Sequence, residues 1–220
     1  MSNTTINIDK NLLHYILDTS VKESNVAKRL REKTMTLEMS RMQIAPEQGA
    51  FMGFIAKLIH AKNYLEIGVF TGYSMLHVVE AMGPDASATG CDISKEWTEL
   101  ARSYWDEAQI NEQIDIHLGK AADSLNKLED KLEDNLYDLA FIDADKENYD
   151  TYYEECLRLL KPKALLMIDN IFWGGAVADE KVQDTDTKAI RALNTKIMSD
   201  KRVNATMLTI GDGLMMVEKI

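Results

Sequence analysis

The chain begins with three stretches in which apolar residues recur at helical spacing. This pattern predicts helices over residues 9–19 and 22–36, and a third helix that Pro46 opens and that continues through residues 49–63. Proline suits the first position of a helix, because that position needs no backbone N–H donor. We therefore expect residues 1–60 to form a helical cap.

From residue 63 onwards, short apolar runs alternate with longer amphipathic stretches. The runs predict strands at 64–67, 88–93, 114–118, 139–142 and 164–168, and the stretches predict helices near 73–82, 94–109, 120–132 and 147–160. This alternation is typical of β-α-β units built around a parallel sheet. The run LLMI before Asp169 is apolar throughout, as expected for a strand that is covered on both faces.

The end of the chain follows a different pattern. Two strand-like runs, at 203–210 and 214–218, flank the turn sequence Gly211-Asp212-Gly213, which favours an antiparallel hairpin. The sequence therefore predicts an α/β protein with one domain over residues 1–220. We expect a mostly parallel sheet with a C-terminal antiparallel hairpin, helices on both faces, and a cofactor-binding core at 61–220.

The overall composition narrows the function classes. The chain has 220 residues and a formal net charge of −11, which opposes nucleic-acid binding because phosphates attract clustered Lys and Arg. No apolar run approaches the ~20 residues of a membrane span, and the N-terminus has no signal-peptide pattern, so we expect a cytoplasmic protein. Cys91 and Cys156 have neither metal-type nor redox-type spacing, which favours reduced, buried thiols.

A glycine-containing segment follows the first predicted strand. Gly68 and Gly72 have the spacing G-x-x-x-G, and Asp92 stands twenty positions later, where a carboxylate can accept hydrogen bonds from ribose hydroxyls. This spacing differs from the G-x-G-x-x-G of dinucleotide sites and suits a ligand with a ribose but no phosphate, such as S-adenosylmethionine (SAM). Glu66 could help balance the positive charges of that ligand. The alternative is a glycine-rich turn without a ligand.

Polar side chains also follow the fourth and fifth predicted strands. Asp143 follows one, Asp169 and Asn170 follow the other, and ligands of open α/β sheets bind at these carboxyl ends. Two carboxylates and an amide oxygen suit Mg²⁺, Mn²⁺ or Ca²⁺ and suit Zn²⁺ poorly. The alternative is that each aspartate caps the helix that follows.

Lys146 lies one helical turn past Asp143 and could reach the same site. A lysine beside a cation in a partly dry pocket is a candidate general base, whereas the alternative is an exposed, solvated lysine. The four histidines are scattered along the sequence and form no metal-type cluster: His14, His60, His77 and His117.

Several longer segments have a specific resemblance. These are PEQGAF, AKNYLEIGVFTGYS, GCDIS, FIDADKENYDTYYEECLRLLKPKALLMIDNIFWGG and IGDGLMMVEK. With them the chain resembles, from about Met42 to its end, the cation-dependent O-methyltransferases, the family of catechol and caffeoyl-CoA O-methyltransferases. The bacterial, caffeoyl-CoA-like branch is the most similar. The resemblance implies a Rossmann-like sheet of seven strands and a homodimer.

The resemblance also implies roles for individual residues. The implied SAM contacts are Glu66, Gly68, Ser74, Asp92, Ala121, Asp143 and Asp145, with backbone contributions from Met42 or Ile44. The implied ligands of the divalent cation, with Mg²⁺ as the first choice, are Asp143, Asp169 and Asn170. Lys146 would be the catalytic base beside Asp143 and would contact the substrate, and Trp173 would line the acceptor site.

Two departures from the plant branch concern the acceptor. Gly174 stands where that branch has an asparagine, and residues 184–188 lack its tyrosines, which argues against caffeoyl-CoA itself. The sequence therefore predicts metal-dependent methyl transfer to a hydroxyl of a small catechol-like aromatic, such as a hydroxycinnamate or a flavonoid. Three alternatives remain open: methylation of a hydroxylated uridine in tRNA, an NAD-dependent oxidoreductase, and a non-catalytic SAM-binding protein.

Overall fold

The structure is a computed structural model, and it describes residues 4–128 and 136–220. The end of the predicted helix at 120–132 lies outside the described residues.

The described residues include seven strands that form one sheet in the order β3-β2-β1-β4-β5-β7-β6. The strands are β1 (Asn63–Ile67), β2 (Ser87–Asp92), β3 (Ile114–Leu118), β4 (Tyr137–Ile142), β5 (Leu160–Ile168), β6 (Val203–Leu208) and β7 (Leu214–Lys219). Strands β1 to β5 pair in parallel, whereas β7 pairs antiparallel with both β5 and β6. The predicted fold class, including the C-terminal antiparallel hairpin, is confirmed.

Eight α-helices surround this sheet in the described part of the chain. They are α1 (Lys10–Ser20), α2 (Asn25–Thr34), α3 (Pro46–Leu58), α4 (Tyr73–Met82), α5 (Lys95–Glu107), α6 (Ala121–Leu128), α7 (Tyr149–Leu159) and α8 (Thr185–Ser199). Side chains that accept a backbone N–H cap several of their N-termini: Asp9, Ser24, Ser94 and Asp184.

Three predicted boundaries were wrong by three residues or more. The second helix begins at Asn25 rather than at residue 22, because Ser24 caps it. The third helix ends at Leu58 and does not reach residue 63, because the chain reverses at His60, whose φ is 53°. Strand β5 begins at Leu160, directly after α7 and before the predicted start at residue 164.

Both faces of the sheet are buried, and alternate residues of each strand face opposite sides. Leu139 and Phe141 pack in a core with α2, α3, α4 and α5, whereas Ala140 and Ile142 pack in a second core with α6, α7 and α8. Covering on both sides explains why the ends of β4 and β5, at 139–142 and 164–168, are apolar at every position. Cys91 and Cys156 are buried and free.

The helical cap is attached to the sheet by buried polar contacts. The hydroxyls of Thr34 and Thr71 lie 2.8 Å apart, and both residues are fully buried. The Tyr73 hydroxyl donates to Glu23 at 2.6 Å, and Arg31 donates to both oxygens of the same carboxylate. Because Thr71 and Tyr73 follow β1, the cap contacts the glycine-containing turn directly. Within residues 4–128 and 136–220, no helix is long and apolar enough to cross a membrane.

Candidate active site

The turn after β1 passes very close to the end of β4. Gly68 has a φ of +88°, and a Cβ atom placed on it would lie 1.9 Å from the carbonyl oxygen of Asp143. Gly72 has a φ of +80°, and its Cβ would lie 2.4 Å from the ring of Trp105. Both positions require glycine on steric grounds alone. The packing of the turn therefore accounts for these glycines, whatever ligand the turn binds.

Asp92, at the end of β2, organises the backbone of that turn. One of its oxygens, Oδ2, accepts the N–H groups of Val69 and Phe70 at 2.9 and 2.8 Å, and Oδ1 accepts that of Ser94 at 2.7 Å. The carboxylate is buried among these donors. Asp92 thus joins the ends of β1 and β2, and its contact with a ribose stays a prediction.

Glu66 is fully buried in β1 beneath the same turn. Its Oε1 accepts from the Ser74 hydroxyl at 2.5 Å, and its Oε2 accepts from the Tyr64 hydroxyl at 2.8 Å. Burial raises the pKa of Glu66 to about 8, against the effect of these two hydrogen bonds. The carboxyl group therefore favours its neutral form near pH 7. The predicted balance with a cationic ligand requires that Glu66 ionise when the ligand binds.

The other predicted cofactor residues lie on the connections around this turn. Met42 ends a 3-10 turn and is 40% exposed, Ile44 is buried just before α3, and Ala121 is the first residue of α6, just beyond β3. Asp145, after β4, is exposed and accepts from the side chains of Tyr152 and Asn148. In this arrangement the side chain of Asp145 is held by α7 and by the turn before it.

The carboxyl ends of β4 and β5 bring the predicted metal and base residues together. The backbone N–H of Asp169 donates to Ile142 at 3.0 Å, which aligns the two strand ends. The Lys146 Nζ atom donates to Oδ1 of Asp143 at 3.0 Å and to Oδ1 of Asn170 at 2.6 Å. Lys146 is only 8% exposed, so the alternative of a solvated surface lysine is wrong.

Two aromatic rings enclose the same ammonium group. Lys146 donates to the Tyr149 hydroxyl at 2.5 Å, and its Nζ atom lies 4.6 Å from the centre of the Tyr149 ring and 5.6 Å from that of Trp173. These distances are within the range of cation–π attraction. Sequence reasoning missed Tyr149, although its position three residues after Lys146 in DADKENY was the available signal.

Asp169 has the least satisfied carboxylate of the site. The residue is 3% exposed, and its Oδ1 has no hydrogen-bond partner among the residues that the structure describes. Burial, followed by the charge of Asp143, raises the pKa of Asp169, whereas the backbone N–H of Asn170 and then the side chain of Gln48 lower it. Buried carboxylates are normally paired or bound to a cation, so this oxygen fits a metal ligand. Gln48 was missed, although it lies in the segment PEQGAF.

The segment after β5, here called the β5–α8 loop (residues 169–184), contains several residues in the left-handed region. Asn170 and Trp173 have φ values of 57° and 50°, and Gly174 and Gly175 have 60° and 89°. Non-glycine residues rarely adopt this conformation, and such strain occurs mainly at functional sites. The turn before β7 supports the loop, since the Gly174 N–H donates to Oδ1 of Asp212 at 2.8 Å.

The fold and the site together define a class of enzyme. Solved structures that share this sheet include O-methyltransferases in complex with SAM or SAH. A family model described as O-methyltransferase matches residues 17–220, and the chain belongs to that family. It is therefore a SAM-dependent O-methyltransferase, which sets aside the oxidoreductase and non-catalytic alternatives.

Individual relatives agree with this assignment. The Dictyostelium discoideum protein named "Probable caffeoyl-CoA O-methyltransferase 1" is 38% identical over 217 residues, which cover 98% of this chain and 94% of that protein. The O-methyltransferase of Bacillus cereus, solved in complex with SAH, has a TM-score of 0.88 at 27% identity and covers 96% of this chain and 97% of its own. The O-methyltransferase TomG of Streptomyces achromogenes, solved with SAM, has a TM-score of 0.86 at 27% identity over 95% and 96%.

Proposed function

We propose that this enzyme methylates one hydroxyl of a small aromatic vicinal diol, and that a divalent cation, Mg²⁺ in the first place, assists the transfer. The observation that carries this proposal is the unpaired buried oxygen of Asp169, which lies after β5, beside Asn170 and the charge of Asp143. A carboxylate oxygen without a donor is costly to bury, and a cation would remove that cost.

The donor set fits such a cation. Asp143, Asp169 and Asn170 would hold it through carboxylate and amide oxygens, which are the ligands that Mg²⁺, Mn²⁺ and Ca²⁺ prefer. Three protein ligands leave positions for two oxygens of a diol and for water. When bound, the cation would supply Lewis acidity that lowers the pKa of a coordinated hydroxyl.

SAM would lie at the glycine turn. Its proposed contacts are Glu66, Gly68, Ser74, Asp92, Ala121, Asp143 and Asp145, with backbone contributions from Met42 or Ile44. The close approach of Gly68 to Asp143 supports this placement, because it brings the turn next to the proposed acceptor site.

Lys146 has the central role in the proposed mechanism. Its Nζ atom accepts or orients the proton that leaves the acceptor hydroxyl. In this structure Asp143 and Asn170 accept hydrogen bonds from Lys146, and a bound cation would take over these oxygens and leave Nζ beside it. The acceptor oxygen then bonds to the methyl carbon as the bond from that carbon to sulfur breaks. Trp173 lines the acceptor site and lies over Lys146. Most of the rate enhancement would come from positioning and deprotonation.

The acceptor class is argued from the relatives and from the β5–α8 loop. The Dictyostelium relative is named as a probable caffeoyl-CoA O-methyltransferase, which supports an aromatic acceptor. Gly174 offers no side chain where the plant branch has an asparagine, so we favour a free diol over the coenzyme A ester. A cytoplasmic homodimer with one domain over residues 1–220 stays part of the proposal.

The test is methyl transfer from labelled SAM to catechols, hydroxycinnamates and flavonoids, with Mg²⁺ and with EDTA. Each diol is paired with its monohydroxyl analogue. We expect transfer to diols only, and only with metal. Turnover that survives complete metal removal would contradict the proposed role of the cation. SAM binding without transfer to any diol would instead favour the tRNA alternative.

A further inference from the structure

We propose that Arg191, on α8, is a positioning residue that orders the β5–α8 loop and thereby sets the affinity for the methyl acceptor. The inference about acceptor affinity rests on the proposed function, because Trp173 in this loop is the proposed wall of the acceptor site. The ordering of the loop rests on geometry alone.

One guanidinium group lies within hydrogen-bond distance of four backbone carbonyls of the loop. The Arg191 Nε atom donates to Val177 at 3.0 Å, and its Nη2 atom lies at 3.2, 3.0 and 3.2 Å from the carbonyl oxygens of Ala176, Asp179 and Val182. A planar guanidinium presents several donors in a fixed geometry and keeps its charge at all relevant pH values. Hydrogen bonds from such a charged donor are about twice as strong as neutral ones.

The loop has little regular structure to replace these contacts. Between Trp173 and the start of α8, the described backbone forms a 3-10 turn up to Ala178 and then isolated turns such as Val182 N–H to Asp179. Backbone carbonyls that lose a donor become costly unless water reaches them. Arg191 therefore serves as the common partner of a segment that has no strand or α-helix of its own.

A second contact from α8 lies on the other side of Trp173. The Asn194 side chain donates to the Ile171 carbonyl at 2.8 Å, and it stands three residues after Arg191, on the same face of the helix. Between the two anchors lie Trp173, Gly174 and Gly175, and a Cβ atom added to either glycine would meet nothing within 4 Å. Trp173 therefore lies between two anchors from α8, and the neighbouring N–H groups of Phe172 and Gly174 donate to Asp212 from the turn before β7.

The experiment compares Arg191→Met with Lys188→Met, which removes one positive charge from an exposed position of the same helix. Lys181 is exposed within the loop, so trypsin cleavage after it reports on loop order without any need for turnover. Cleavage after Lys57, exposed near the end of α3, reports on global unfolding. The affinity for SAM and the KM for a diol acceptor are measured on the same proteins.

We expect Arg191→Met to be cleaved after Lys181 about tenfold faster than the unsubstituted protein, with cleavage after Lys57 unchanged. We also expect the acceptor KM to rise about tenfold, with unchanged SAM affinity, whereas Lys188→Met leaves every value unchanged. If Arg191→Met and Lys188→Met are cleaved at the same rate after Lys181, or if cleavage after Lys57 rises equally, the proposal is overturned.

A second variant keeps the test open if Arg191→Met does not fold. Arg191→Lys retains the charge but cannot span four carbonyls, so we expect faster cleavage than in the unsubstituted protein, and equal rates would overturn the proposal. If no diol is methylated by any of these proteins, the proposed function fails, while the proteolysis still decides whether Arg191 orders the loop.

Discussion

The two halves of the site differ in how completely the protein satisfies its own polar groups. In the cofactor half, at the ends of β1 and β2, Glu66 accepts from two hydroxyls and Asp92 accepts from three backbone N–H groups. In the acceptor half, at the ends of β4 and β5, an oxygen of Asp169 has no partner in the described structure. Non-glycine residues with left-handed backbones occur in both halves: Asn170 and Trp173 in the acceptor half and Phe70 in the cofactor half.

This difference separates stability from function within one site. Asp92 holds the ends of β1 and β2 together and Glu66 joins β1 to α4, so these contacts stabilise the folded chain before any ligand binds. The acceptor half retains a buried carboxylate oxygen without a donor, which costs free energy that a bound ligand can recover. We therefore expect substitutions in the acceptor half to reduce turnover more than stability, and the reverse in the cofactor half.

The largest effect is expected for Asp169→Ala. Loss of this carboxylate should reduce methyl transfer by more than about 10³-fold, because the proposed cation loses a ligand. The free energy of unfolding should change by less than about 1 kcal/mol, since the substitution also removes an unpaired buried oxygen. Turnover and urea unfolding are compared with those of Asp85→Ala, an exposed control. Near-normal turnover in Mg²⁺ would remove Asp169 from the mechanism.

A smaller loss is expected for Lys146→Met. Removal of the proposed base should lower kcat at least about a hundredfold, while the affinity for SAM, which binds the other half, stays unchanged. Single-turnover rates and SAM titrations measure the two quantities, and Lys188→Met is again the control. An unchanged kcat would show that Lys146 does not take part in proton transfer, whereas an equal loss of SAM affinity would show that the two halves are not separable.

Sequence patterns predicted most of the sheet because its central strands are buried on both faces. The end of α3 failed because no residue type signals it: apolar spacing continues past Leu58, and the reversal at His60 uses a non-glycine residue with positive φ. The start of α2, in contrast, had a signal in its N-cap Ser24. The strand ends after β4 and β5 were predictable, because parallel strands place their carboxyl ends along one edge.

Several contacts of the site could not be predicted from the sequence. Gln48 influences Asp169 from α3, far away in the chain, and only the packing of that helix brings the two together. Asp92 and Arg191 bind backbone groups, which every residue possesses, so no sequence pattern identifies their partners. Contacts between side chains and backbone atoms are therefore the part of such a site that can be identified only from a structure.

Equivalent glycine substitutions in the two halves should differ in how much they lower the free energy of unfolding. Gly68→Ala places a Cβ against the Asp143 carbonyl at a φ of +88°, whereas Gly174→Ala meets nothing within 4 Å at a φ of +60°. We expect a loss of at least about 3 kcal/mol in the free energy of unfolding for the first and about 1 kcal/mol for the second. Urea unfolding measures both. Equal losses would show that backbone strain alone, and not the approach of β1 to β4, requires Gly68.

The smallest effect is the pH dependence that Glu66 gives to stability. Its pKa in the folded chain is about 8, above its ordinary value of 4.5, so the folded state keeps a proton that the unfolded state releases. The contribution of protonated Glu66 to the free energy of unfolding is therefore complete below about pH 4.5 and is lost as the pH rises towards 8. Glu66→Gln stays neutral throughout, so the free energy of unfolding of the unsubstituted chain should fall relative to this variant by roughly 2 kcal/mol between pH 5 and 7.

Ser74→Ala sharpens the test: the Ser74 hydrogen bond lowers the pKa of Glu66, so its removal should extend the decline to higher pH. Parallel stability curves for the unsubstituted chain and Glu66→Gln would mean that Glu66 is already ionised, and that the cofactor half holds a charge ready for its ligand.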